Sequence, residues 1–347
     1  MSASIASVAS ALPARIDQLE LWDGFFADHF AHDRRARAAW RGSRIATRHS
    51  VADPRVEDLR WWGTEARVRR FHEEAGPLAK ESSSRALEKA GLRPEDIDAL
   101  TVVSCTGYAN PGLDATLARD LGLPASVRRT FVGHMGCFAA VPALSLAADA
   151  ASARGATTLV VCAELPSLHI QPPTEEIDQV VAHALFSDAV AALVVTPGPG
   201  ALGLIGFASI TVPAAADLMA WDVTDSGFRM RLSPEVPRAV APHVEPLAEA
   251  LLTANEGMSI QDVAAWAVHP GGPRILEVVA SRLGVSPDLM AASHAVLSDS
   301  GNCSSATLPL IIERILEDPP SPGGPVVGMA FGPGLTLTGA LMRIGTG

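Results

Sequence analysis

The 347-residue chain predicts an α/β fold in which one βαβ-type half is written twice. Three observations carry this. An acidic turn followed by an apolar run in RPEDIDALTVVSC (93–105) recurs as SIQDVAAWAVHP (259–270). Glycine, helix, glycine-rich turn and strand follow one another in GCFAAVPALSLAADAASARGATTLVVCAE (136–164) and again in GNCSSATLPLIIERILEDPPSPGGPVVGMAF (301–331). The spacings agree: 32 residues from Cys105 to Cys137 against 33 from His269 to Asn302, then 25 from Cys137 to Cys162 against 26 from Asn302 to Gly328. Buried parallel strands with helices between layers account for the pattern, and the halves divide as residues 1–200 and 201–347.

The elements follow in chain order. MSASIASVASALPARIDQLE lacks the basic stretch and unbroken apolar core of a secretion signal. Residues 76–91 have helical spacing and close at Gly91. The run ending at Cys105 is a buried strand, and the alanine-rich stretch after Cys137 is a helix leading through a glycine turn to the strand TLVVCAE. AVAALVV (189–195) is a further buried strand, and TPGPG (196–200) is a loop. Residues 223–255 pass from an extended piece into a helix after Pro237. The second copy supplies a strand ending at His269, a helix after Asn302 and the loop EDPPSPGGP (317–325). The tail 325–344 is two strands joined by a Gly-Pro-Gly turn.

Hydrophobic residues form 48% of the chain and charged residues 19%, the balance of a well-buried globular protein. A net charge of −11 argues against nucleic-acid binding, which needs clustered Lys and Arg, so an anionic ligand requires a local basic patch. No stretch approaches the roughly 20 apolar residues of a membrane helix. The widely spaced Cys105, Cys137, Cys162 and Cys303 make neither a metal-binding pair nor a disulfide framework, which predicts a reducing, cytoplasmic setting and no metal.

Cys137 stands out because it follows a glycine at the start of an apolar helix, where unpaired N–H groups and the helix dipole favour thiolate. By itself it reads equally as a small packing residue. The repeat supplies its companions: Asn302 at the matching helix start and His269 at the end of the matching strand, beside a Gly-Gly that admits a ligand. Alone, Asn302 reads as a helix N-cap and His269 as a core histidine. His134 is a second base by proximity, Cys105 ends a strand that faces the same end of the sheet, and Cys162 and Cys303 read as packing. The segment 32–49 concentrates Arg34, Arg35, Arg37, Arg41, Arg44 and Arg48; as a cluster it is the phosphate-contact candidate, Arg35, Arg37, Arg41 and Arg44 foremost.

GCFAA, VVCAELPSLHIQPPT, HALFSDAVAALVV, HPGGPRIL, LSDSGNCSSA and AFGPGLT, in this order and spacing from about residue 44 onward, resemble the motifs of type III polyketide synthases, the chalcone synthase family. Related ketoacyl synthases usually carry His-Gln-Ala-Asn where this chain has His269-Pro270-Gly271-Gly272. The resemblance implies the thiolase fold, five layers αβαβα from two similar halves, usually as a homodimer. It implies Cys137 as the nucleophile that takes an acyl group from coenzyme A, kept as thiolate by His269. His269 and Asn302 would hold the thioester carbonyl and the enolate left when malonyl-CoA loses CO2. Acyl-CoA and malonyl-CoA are then substrates, with no further cofactor, and an acyl carrier protein is a possible donor. Phe186 matches a gatekeeper phenylalanine, and Met230 stands where a second is usual. Cys105, His169, Ser304, Gly332, Pro333 and Gly334 fall at substrate-side positions, His169 where it should narrow or polarise the pocket. Asn110-Pro111 replaces a Met-Pro whose methionine reaches the partner subunit's cavity in relatives. The alternative activity is a ketoacyl synthase or acyltransferase performing one extension or none.

Overall fold

The computed structural model describes residues 2–254 and 257–346. Nine strands form one mixed sheet: β1 (Ala3–Ala11), β2 (Ala99–Ser104), β3 (Arg128–Gly133), β4 (Thr158–Glu164), β5 (Ala189–Pro197), β6 (Leu202–Thr211), β7 (Ala265–Val268), β8 (Pro325–Gly332) and β9 (Thr336–Ile344). Their order is β7-β8-β9-β6-β1-β5-β4-β2-β3. Read outward from the β1/β6 seam, β1-β5-β4-β2 in one half answers β6-β9-β8-β7 in the other, and β3 has no counterpart. The seam itself is short: Ala3, Ser4 and Ile5 pair with Leu204, Gly203 and Leu202.

The expectation of parallel strands holds only for β2–β3, β2–β4 and β7–β8; the remaining pairs are antiparallel. The reason is visible at β8–β9, where the three residues Pro333–Leu335 join the strands, too short for a parallel crossover.

The main helices are α1 (Arg34–Gly42), α2 (Thr64–Ala90), α3 (Leu113–Leu121), α4 (Ala140–Arg154), α5 (Ile177–Leu185), α6 (Val236–Thr253), α7 (Pro273–Leu283), α8 (Ala291–Ser300) and α9 (Thr307–Glu317). Strand alternation assigns their layers. On β4, Leu159, Val161 and Ala163 meet Phe71, Ala75 and Ala79 of α2 and Leu117 of α3, whereas Val160 and Cys162 meet Ala143, Leu144 and Ala147 of α4. On β8, Val326 and Ala330 join that same central cluster with Leu308, Ile311 and Ile315 of α9. Val327, Met329 and Phe331 face Val244 and Leu247 of α6 and Leu276 and Val279 of α7. The layers are therefore α2/α3, half-sheet, α4/α9, half-sheet, α6/α7.

A helix sandwiched between two sheets must be apolar all round. Gly136–Arg154 accordingly passes the length and hydropathy criteria for a membrane span, which composition alone did not lead one to expect, yet 67% of that window is buried inside the fold. The helix expected at 76–91 starts earlier, at Thr64, and carries Pro77 in its interior; the stripe Phe71, Ala75, Ala79 packed on the sheet holds it together, and Gly91 (φ 67°) ends it as expected. The piece expected as extended before Pro237 is a hairpin, Met219–Thr224 with Gly227–Leu232, and α6 follows; Asn255 lies outside the described residues.

Candidate active site

Cys137 lies on a short 3-10 turn, Gly136–Phe138, that runs into α4. Gly136 has φ 74°, and a Cβ there would stand 2.7 Å from Cδ of Pro333. A Cβ on Gly332 would stand 2.5 Å from Cδ1 of Phe138. Gly332 and Pro333, expected as substrate contacts, thus brace the backbone of the Cys137 turn. Gly334 (φ 93°) closes the tight turn of that hairpin.

The repeat is real, but its register differs from the one read in the sequence. Cys137 is three residues before α4, and the residue three before α9 is Ser304; both helix starts lie 18 residues before the next strand, β4 or β8. Cys137 therefore answers Ser304, and Asn302 sits two residues earlier. Cys105 and His269, each the first residue after β2 and β7, are the other matched pair.

Asn302 is fixed at both backbone and side chain. Its N–H donates to Leu185 O and its carbonyl accepts from Ser187 N–H, each at 2.9 Å. The Ser304 N–H donates to Asn302 Oδ1 at 2.9 Å. A backbone N–H can only donate, so the oxygen is assigned and the amide nitrogen presents its hydrogens to the site. Gly301 (φ 68°) makes this possible, since a Cβ there would lie 3.0 Å from Leu185 O.

His269 is anchored by its N–H to Met329 O at 2.8 Å. Its ring is completely buried, and neither Nδ1 nor Nε2 has a partner among the described residues. Burial lowers it to about 3. The Cys137 thiol is pushed up to about 12, chiefly by burial, with the Ser304 and Asn302 side chains as hydrogen-bond partners working the other way. Burial thus works against charge on either side chain. His134 is exposed and takes no part.

Behind the thiol lies a feature the sequence did not single out. Glu164, fully buried at the end of β4, accepts from Cys105 N–H (3.1 and 3.2 Å), Thr106 Oγ1 (2.6 Å) and Ser305 Oγ (2.5 Å). Desolvation raises its pKa against these bonds. Cys105 Sγ lies 3.1 Å from Ser304 Oγ, so one hydroxyl touches both thiols. Burial and Glu164 push the Cys105 thiol well above its usual range. The only sequence signal was an acid closing an otherwise apolar strand.

Two cavities meet at Phe186 and Met230, which line both. The outer one, about 440 Å³, is bounded by His269, Asn302, Phe331, Leu185, Ala38 and Gly42, and Arg274 is the one charged residue in its lining. The inner one is only about 50 Å³ and reaches Trp221, Ile170 and Phe26. Phe186 is held by Arg48, whose guanidinium donates to Phe186 O (2.8 Å), His183 O (2.8 Å), Ala184 O (2.7 Å) and Gln18 Oε1 (2.7 Å). Arg48 is therefore a buried cap on the C-terminus of α5 and not part of a basic patch. His169 lines the inner cavity but does not polarise it: Nε2 is bonded to Thr106 O at 2.7 Å, Nδ1 accepts from Phe228 N–H at 3.0 Å, and the ring stacks on Phe228 at 4.5 Å. Of the expected phosphate contacts, Arg35 is paired with Asp33 and Arg44 with Glu277, while Arg37 and Arg41 have no side-chain partner among the described residues. Among the described residues no group of three His, Cys, Asp or Glu side chains could hold a metal.

Family comparison matches residues 44–199 to "Chalcone and stilbene synthases, N-terminal domain" and residues 205–345 to "Chalcone and stilbene synthases, C-terminal domain". The chain is 33% identical to the alpha-pyrone synthesis polyketide synthase-like Pks18 of Mycobacterium tuberculosis, over 99% of this chain and 91% of the relative. Among solved structures it superposes on the 1,3,6,8-tetrahydroxynaphthalene synthase of Streptomyces coelicolor with TM-score 0.93 and 29% identity, over 99% of this chain and 100% of the other. The C-terminal type III polyketide synthase domain of Steely1 from Dictyostelium gives TM-score 0.93 and 25% identity, over 99% of both chains.

Proposed function

We propose a residue-level mechanism from one premise: the chain belongs to the chalcone and stilbene synthase family and is a type III polyketide synthase, a thiolase-fold transferase that joins acyl-CoA and malonyl-CoA by decarboxylative Claisen condensation. In this reading Cys137 of the first half (1–200) is the nucleophile, and His269 and Asn302 of the second half (201–347) serve it. The incoming thioester brings its carbonyl between the Asn302 amide and His269. As sulfur attacks, the thiol proton passes to the neutral imidazole and then to the departing CoA sulfur. The imidazole thus serves as base to the thiol and as acid to the leaving group.

Malonyl-CoA then loses CO2, and the electron pair of the broken C–C bond becomes an enolate whose oxygen faces the same two donors. The enolate carbon attacks the Cys137 thioester, the new C–C bond forms, and the Cys137 sulfur leaves. The observation that carries the reading is a pair of donors at one end of an apolar cavity: the oriented Asn302 amide, which reaches the Cys137 thiol, and the partnerless ring of His269. Phe186 and Met230 gate growth toward the inner cavity, and Cys105, Ser304 and Glu164 lie behind the thiol, outside the lining of either cavity. Coenzyme A thioesters are substrates, with no separate cofactor, and the products are pyrones or phenolic rings.

The test is covalent loading. Cys137→Ala abolishes acyl transfer to the protein in intact-mass measurements; retained acyl label overturns the assignment. Asn302→Ala lowers malonyl-CoA decarboxylation about 100-fold or more while loading falls less, and equal loss of both steps makes Asn302 a structural cap. The one-extension or no-extension reading predicts products without repeated two-carbon additions. Homodimer formation is supported by the exposed edge strand β3 with Phe131, and by the exposed apolar side chains of Tyr108 and of Leu146 on α4; sedimentation at monomer mass overturns it.

A further inference from the structure

Resting on that reading, we propose that the indole N–H of Trp221 donates to a ketone oxygen of the growing chain just past the gate, so that the inner cavity favours an oxygenated chain over a hydrocarbon one of the same length. The hairpin Met219–Thr224 with Gly227–Leu232 presents Trp221, Phe228 and Met230 to that cavity. Trp221 stands directly opposite Met230 in the register, and its ring centroid is 5.7 Å from that of Phe186. Both gate residues are therefore its immediate neighbours. The alternate positions of the hairpin carry the exposed pair Asp222 and Arg231 instead.

Trp221 Nε1 is buried, and among the described residues it is the one buried side-chain polar atom of the inner lining without a partner. Its neighbours there are already committed. His169 has both ring nitrogens bonded, as does His183, to Gln179 O at 2.6 Å and Gln171 N–H at 3.1 Å. Arg48 is spent on carbonyls, and the Ser167 hydroxyl on Asp188. Trp40 and Trp266 also leave the indole nitrogen unpaired, but neither lines either of the two cavities. A buried N–H without an acceptor costs free energy that a bound acceptor restores, and of the three indoles Trp221 stands where a ligand reaches. Each condensation leaves a ketone on every second carbon, and the starter end, with the first-formed ketones, is what the gate admits. An indole N–H only donates, so it rewards a ketone oxygen and offers no hydrogen bond to a saturated chain. Phe26, Ile170 and Phe228 in the same wall are apolar and make no such distinction.

The test compares two CoA analogues in which a methylene group replaces the thioester sulfur, one with ketones on alternate carbons and one saturated and of equal length, as inhibitors of Cys137 loading read by intact mass. Trp221→Phe keeps a ring against Phe186 and removes the donor. It is expected to weaken inhibition by the ketone analogue about two- to tenfold and to leave the saturated one as it was, and the share of products with more than one added two-carbon unit falls. Equal weakening of both, in a variant whose thermal unfolding is unchanged, overturns the proposal and makes Trp221 a packing residue; no change in either overturns it too. A second measurement uses the native chain and so does not depend on how the variant folds. With nitrogen-labelled tryptophan, the indole N–H resonance missing from the variant is expected to move with the ketone analogue and not with the saturated one; an equal response to both, or none, overturns the proposal. Failure of the native chain to load Cys137 from any acyl-CoA overturns the polyketide synthase reading itself, and this proposal with it.

Discussion

Acidification from pH 7 to pH 5 is expected to remove much of this protein's stability through histidines that folding keeps neutral. His169, His183 and His269 are buried, and desolvation lowers the first two to about 4 and the third to about 3. His29, stacked against Phe25 in the N-terminal aromatic cluster, is lowered to about 3. Unfolded, each returns to about 6.5. The folded state therefore binds fewer protons, so its stability is full above pH 6.5 and declines as pH falls toward the folded values. At pH 5 the difference is about 2 kcal/mol per histidine, or about 6 kcal/mol for the three most deeply buried. Asp188, raised to about 6 by burial, acts in the opposite sense and returns about 1 kcal/mol; Glu164 adds to that return. The net loss from the three histidines and Asp188 is about 5 kcal/mol, with His29 adding to it, against a typical total of about 5–15 kcal/mol. Urea unfolding followed by tryptophan fluorescence at pH 7, 6 and 5 measures it. A stability that is flat or rising toward pH 5 refutes the reasoning, as do imidazole NMR signals of these histidines that titrate in the folded protein near pH 6.5.

Three further outcomes follow. Gly136→Ala places a side chain in the left-handed region and 2.7 Å from Pro333, so about 2 kcal/mol or more of stability is lost and the loading rate falls; thermal unfolding and intact mass read the two effects. Arg48→Met strands the carbonyls of His183, Ala184 and Phe186, for a loss of about 3 kcal/mol or more in urea unfolding. Met230→Phe exchanges a flexible side chain for a rigid ring at the junction of the two cavities, so half-saturation for long acyl thioesters rises while that for acetyl-length ones stays.

The duplicated architecture was legible because strands buried on both faces are written as apolar runs, and their order with the intervening glycines survives in both copies. β3 was not legible. Its sequence, RRTFVG, belongs to an exposed edge strand and carries neither an apolar run nor a clean alternation. The register of the site slipped for a countable reason. From the end of β2 to the start of α4 is 36 residues, and from the end of β7 to the start of α9 is 39, so the second copy carries three extra residues, and matching Gly136 to Gly301 left two of them between that glycine and the helix. Glu164 went unread because its importance comes from Thr106 and Ser305, which lie far from it in sequence and close in space. Arg48 was grouped with exposed arginines because a sequence shows charge and not burial.

The peptide segment around Phe186 and the one around Asn302 are laced together by two hydrogen bonds, one on either side of the phenylalanine. Gate width and amide aim are consequently one mechanical variable. A substrate that spreads the gate by moving the Phe186 backbone also tilts the donor that must receive its oxyanion, so an acyl group too wide for the gate is rejected twice, at passage and at chemistry. Enlarging the range of starters by loosening this segment would dull the reaction itself, whereas trimming side chains at position 186 or 230 leaves the lacing intact. The tolerance of the enzyme is set by its side chains and its competence by the backbone that carries them.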